Sequence, residues 1–161
     1  MSNEFLPIIT VPASDRRRLE DLARGAAEQG DTDARYLMGE INRANIVPDR
    51  AEALDSVVTM GSWVTYWTDW GLSRETRQLV YPDKYTSDES QIPVLSPLGV
   101  ALIGLKVGSQ ISFFAAGRTH IVRVERVSRT EPNVIPLLFR APVHRDEELS
   151  DDDDDPGPAA A

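Results

Sequence analysis

Few side chains in this sequence are typed and spaced for chemistry. Cysteine is absent, which removes thiol catalysis, a disulfide framework and the usual zinc-ribbon sites. His120 and His144 stand alone, without metal-ligand spacing, and read as structural or exposed. No Ser-His-Asp set, phosphate-binding loop or dinucleotide motif can be assembled. Gly99, Gly104 and Gly108 are spaced as turn and helix-end residues. Three acids, Glu28, Asp31 and Asp33, gather around Gly30, and the latter two flank Thr32 at an expected helix start, where acids complement the dipole. Trp63, Tyr66, Trp67 and Trp70 form an aromatic cluster with three possible uses: stacking bases, anchoring a partner, or filling a core. Strand alternation sends Trp63 and Trp67 to one face and Tyr66 to the other, so core or edge packing is expected for at least some. Arg16-Arg17-Arg18 reads as a solvated patch, or as a contact to phosphate or carboxylate.

The net charge of −9 is concentrated in one place. Asp146, Glu147, Glu148 and Asp151 to Asp155 supply eight acids within ten residues, which leaves −1 for residues 1–145. A folded part so nearly neutral has no general attraction to nucleic acid, and direct nucleic-acid binding is not expected. With 41% apolar residues the chain can build a packed core of modest size. No apolar run approaches the roughly 18–20 residues that span a bilayer. The segment from Met1 to Pro7 has neither a basic n-region nor a long apolar stretch, so no signal peptide and a cytoplasmic location are expected.

The elements that must position these residues change period along the chain. After an N-terminal segment, residues 1–13, apolar residues recur at helical spacing. Leu19, Leu22, Ala23 and Ala26 draw one stripe and Tyr36, Leu37, Ile41 and Ala44 a second. Ser14 and Thr32 are the expected N-caps, Gly30 the end of the first helix and Pro48 the close of the second. Residues 14–48 therefore read as a short antiparallel helical hairpin. From residue 49 to 130 the period is two. Strands are expected at Val57–Met60, Trp63–Trp67, Thr76–Tyr81, Ile92–Leu95, Gln110–Ala115 and Thr119–Ser128, with a turn at Ala116-Gly117. One short helix, residues 97–104, is capped by Ser96 and opened by Pro97. The fold class is α+β: the hairpin, then a twisted antiparallel sheet with one short helix packed on it. Residues 131–145 form a proline-rich apolar extension expected to pack on the domain or a partner, and residues 146–161 an acidic tail expected to be disordered.

The string Val94-Leu95-Ser96-Pro97-Leu98-Gly99-Val100-Ala101-Leu102-Ile103-Gly104-Leu105-Lys106-Val107-Gly108 resembles the signature of the C-terminal domain of the Gre transcript-cleavage factors. Together with Ile8-Ile9-Thr10, the hairpin and Thr76-Arg77-Gln78-Leu79-Val80-Tyr81-Pro82, the resemblance narrows to the regulators of nucleoside diphosphate kinase. These are Gre-like proteins with a shortened hairpin, matched over roughly residues 5–128. It implies an FKBP-like fold for the docking domain, a likeness that does not transfer isomerase activity. It also implies RNA polymerase as partner, through the β′ coiled coil at the secondary-channel rim, with Ser96, Pro97 and Leu98 as contact candidates.

In Gre factors the acidic hairpin tip holds a magnesium ion in two-metal chemistry, which would give Glu28, Asp31 and Asp33 a catalytic part. Helices of about four turns span only roughly 20–24 Å, about half the reach of a channel-penetrating arm. The reading carried forward is a non-enzymatic, polymerase-binding competitor of Gre-type factors, with no catalytic residue, cofactor or metal. A cleavage factor and a regulator of nucleotide pools are the alternatives.

Overall fold

The structure is a computed structural model that describes residues 6–132. His144, the apolar extension beyond residue 132 and the acidic tail lie outside the described residues. Strand β1 (Thr10–Pro12) leads into helix α1 (Ala13–Glu28), and helix α2 (Thr32–Arg43) returns to strand β2 (Asn45–Val47). Neither strand was expected. They pair in parallel with Thr10 opposite Asn45, so the hairpin is closed at its base by a two-stranded ribbon. Ala44 adopts extended backbone (φ −63°, ψ 147°), and so α2 ends four residues short of Pro48.

Both expected caps shift by one or two positions. Pro12 holds the N-cap position of α1, and Ser14 lies inside the helix, its N–H donating to Asp49 Oδ1 at 2.9 Å. Asp31 caps α2 in place of Thr32, its carboxylate accepting from the Ala34 N–H at 3.0 Å. A carboxylate there satisfies an orphan donor and meets the dipole, two gains a threonine cannot match.

The second half is a five-stranded sheet in the order β5-β4-β3-β7-β6, made by β3 (Trp63–Thr68), β4 (Ser73–Val80), β5 (Gln91–Pro93), β6 (Gln110–Ala115) and β7 (Arg118–Ser128). Four strands are antiparallel neighbours. The short β5 runs parallel to β4 at the edge, where its proline needs no ladder partner. Val57–Met60 is not a strand. Val57 and Val58 are fully buried, but their cross-chain backbone contacts go to the loop after the short helix: one bridge to Lys106, a Val58 N–H to Leu105 carbonyl bond of 2.8 Å, and a Gly104 N–H to Val58 carbonyl bond of 2.8 Å. β-branched composition correctly marked a buried segment there, and a loop offered no ladder to extend it.

Helix α3 (Pro97–Leu102) and the hairpin bury one face of the sheet. Leu19 and Ala23 of α1, Leu37 and Ile41 of α2 and Leu102 of α3 share one hydrophobic cluster with Val64, Tyr66, Leu79, Val122 and Val124. Each such leucine or isoleucine contributes about 1.5–3 kcal/mol by leaving water. Among the described residues no helix is long and apolar enough to cross a membrane.

Candidate functional site

The corner at Ser96 is built by local chemistry. Ser96 Oγ donates to the Pro93 carbonyl at 2.7 Å and accepts from the Gly99 N–H at 3.1 Å, so its hydroxyl both closes the turn and caps α3. Gly99 lies so close to the incoming strand that a Cβ would sit 2.2 Å from the Pro93 carbonyl oxygen. Gly104, at φ +76°, packs on the N-terminal ribbon: a Cβ would sit 2.5 Å from Ile9 Cβ, and its carbonyl accepts the Thr10 N–H at 3.0 Å. Ser96, Gly99 and Gly104 therefore hold the corner together, while Pro97 and Leu98 are half-buried at its surface.

Beside this corner opens a groove of about 630 Å³. Pro97, Val100 and Ala101 form one wall, Phe113 to Ala116 of β6 and its turn form another, and Thr32, Asp33 and Tyr36 close it from α2. The α2 side of the hairpin tip thus lies across this groove from the motif helix. Of the contact candidates, Pro97 lines the groove; Ser96 and Leu98 do not.

The three tip acids diverge. Asp31 is engaged as a helix cap, Glu28 is exposed at the end of α1, and Asp33 faces the groove. Burial pushes the Asp33 carboxyl up, and the neighbouring Asp31 charge pushes it the same way. Burial likewise raises the Tyr36 phenol, with the Glu40 charge adding to it. Among the described residues no group of three or more histidine, aspartate or glutamate side chains is placed to hold a metal ion. Walls that are mostly apolar, with one raised acid at the rim, can seat a protein side chain or helix end.

Two family models divide the chain along the same geometry. Residues 53–129 match the transcription elongation factor GreA/GreB C-terminal domain, and residues 7–47 match the Rnk N-terminus. The regulator of nucleoside diphosphate kinase of Escherichia coli K12 is 34% identical over 121 residues, 74% of this chain and 88% of that protein. The chain belongs to that family. The protein of the same description from Shigella flexneri is similar to the same extent. A solved GreA/GreB elongation factor from Nitrosomonas europaea is 30% identical, with a TM-score of 0.62 over 74% of this chain and 98% of its own. The α+β expectation, with N-terminal helices and a Gre-type sheet domain, agrees with these matches.

Several groove residues of this family member escaped sequence reasoning. Tyr36 falls in the apolar stripe of its helix, yet it is 40% exposed and lines the groove opposite α3. Phe113 and Phe114 are adjacent, so strand parity sends one outward, and Phe114 is 65% exposed. Two consecutive phenylalanines in an edge strand were the available signal. His120 is less isolated than it looked. Its Nδ1 lies 3.0 Å from Asp69 Oδ2, its Nε2 3.2 Å from the Ala115 carbonyl, and its ring stacks on Phe113 at 5.3 Å. The hydrogen bond from His120 holds the Asp69 carboxyl below the usual carboxylate range, and Arg118 adds to it.

Proposed function

We propose that this protein is a non-enzymatic, cytoplasmic transcription regulator that binds RNA polymerase near the secondary channel and competes there with Gre-type factors. The Gre-type domain docks on the β′ coiled coil at the channel rim, as the family resemblance implies. The observation that carries the reading is the placement of the hairpin tip, whose Thr32 and Asp33 line the same groove as Pro97. A tip seated on its own docking domain occupies the rim without delivering carboxylates to a distant catalytic centre. Helices of 16 and 12 residues support the same limit, at about 1.5 Å per residue.

Ser96 is a poor probe, because its hydroxyl is used inside the corner. Pro97→Ala and Tyr36→Ala address the groove directly. Purified polymerase should retain the protein, a Gre factor should displace it, and both variants should bind at least about tenfold more weakly, the loss of roughly 1.4 kcal/mol of contact. Failure to bind polymerase, or binding indifferent to a Gre competitor, overturns the proposal. Stimulated cleavage of a backtracked transcript, abolished by the Asp31→Ala/Asp33→Ala double variant, would return the tip to a catalytic role.

A further inference from the structure

The face of the sheet turned away from the helices has a composition of its own. Cross-strand pairing places Trp63, Thr65 and Trp67 of β3 beside Gln78, Thr76 and Arg74 of β4 on one side and beside Ser128, Arg126 and Arg123 of β7 on the other. Strict alternation would put Arg123 and Arg126 on opposite faces, because they are three residues apart. The register shifts between Thr65 and Tyr66, leaving Glu125 unpaired in a bulge, and this turns both arginines to the same side. Arg74 lies 5.7 Å from the Trp67 ring and is held by Glu125 at 2.7 Å. Arg123 and Arg126 are exposed, with no carboxylate within 4.0 Å among the described residues.

The loop after β3 extends this surface. Asp69, Trp70 and Gly71 all have positive φ, at 50°, 61° and 89°, and Asp69 is fastened to His120. That turn lifts Trp70 clear of the sheet to 81% exposure, and with Trp67, Ile121, Gln110 and Arg123 it borders a groove of about 390 Å³. Tryptophans whose faces border a groove, next to arginines without a carboxylate, suit planar bases joined by phosphates.

We infer that this outer face, Trp67 and Trp70 with Arg123 and Arg126, binds a single strand of nucleic acid by stacking and phosphate contact. The near-neutral charge of residues 1–145 conceals the site, since it averages a face carrying Arg74, Arg123 and Arg126 against one glutamate with an acidic remainder. Stacking on tryptophan and contact to phosphate use features that RNA and DNA single strands share. The inference stands apart from the polymerase reading, whose groove shares no lining residue with this one.

Titration of the full chain at low ionic strength with short oligothymidylate and with oligouridylate tests it. Both should quench tryptophan emission, with log K falling against log salt at a slope of about −1.4 for two phosphate contacts. Arg123→Ala/Arg126→Ala should weaken binding at least tenfold, and Trp70→Ala about tenfold with loss of much of the quench, each variant keeping the wild-type circular-dichroism melt. Absence of binding, or affinity unchanged in the arginine double variant, overturns the proposal. So does equal binding of duplex, which offers no open bases, or of a glutamate-rich peptide, which would assign the face to an acidic protein.

Discussion

The two faces of one sheet have been shaped by different demands. The helix-covered face is dictated by packing: Val64, Tyr66, Leu79, Val122 and Val124 are nearly or fully inaccessible, and the helix above them is fixed by a serine and a glycine with no room to change. The outer face is built from arginines, tryptophans and threonines, of which Arg74, Arg123, Arg126 and Trp70 are open to solvent. Substitutions on the first face should cost stability and those on the second should cost binding. A residue that fails this division is the most informative result available.

The largest effect is expected from Gly99→Ala. A methyl group 2.2 Å from the Pro93 carbonyl oxygen must move either α3 or β5, and neither is a flexible side chain. A loss of about 3 kcal/mol or more in urea unfolding is expected, comparable to severe overpacking. A variant that unfolds like wild type would show that the corner is loose. Ser96→Ala comes next. It removes a cap, leaves the Gly99 N–H without its partner and takes one of two bonds from the Pro93 carbonyl, a cost of about 1–2 kcal/mol by the same measurement. If Ser96→Ala were neutral in stability and damaging to polymerase retention, the serine would be a contact residue after all.

Trp70→Ala inverts the pattern. The side chain is 81% exposed, so the unfolding midpoint should move by less than about 0.5 kcal/mol. Relief of a bulky side chain at φ +61° leaves the backbone no easier to hold, since alanine also disfavours that region. A large stability loss would mean that the indole closes the outer face as a small core of its own.

These differences explain what could be read from the residues alone. The cap at Ser96, the proline at the start of α3, the edge position of the β5 proline and the hairpin turn at Ala116-Gly117 are decided within a few residues, and they were legible. The bulge was legible too, though it went unread: Val122, Val124 and Val127 face the core, and the step from two to three marks the extra residue at Glu125. The ribbon of β1 and β2 left no such trace. Three-residue strands have no measurable period, and their pairing depends on where the hairpin returns. The groove depends on a still longer relation, between α2 and residues 61–84 positions later, which no local spacing encodes.

The smallest expected effect separates two carboxylates by the sign of their titration. Asp15, on α1, is pushed above the usual carboxylate range by burial, and the adjacent Asp49 charge adds to this, while the bond from Tyr81 and the Arg18 charge oppose it. A group with a raised folded-state pKa contributes stability that is full below its unfolded value and is lost as pH rises through the folded one. Asp69, by the sheet's outer loop, is held below the range by His120 and then by Arg118. Its contribution is full above the ordinary carboxylate value and is lost as pH falls through the depressed one. Melting temperatures of Asp15→Asn and Asp69→Asn, measured from neutral to acid pH, should therefore diverge from wild type in opposite senses. Near neutrality Asp15→Asn should sit at or above wild type and Asp69→Asn below it, and acid should close both differences. Two curves that instead run parallel to wild type would mean that neither carboxylate feels its partners.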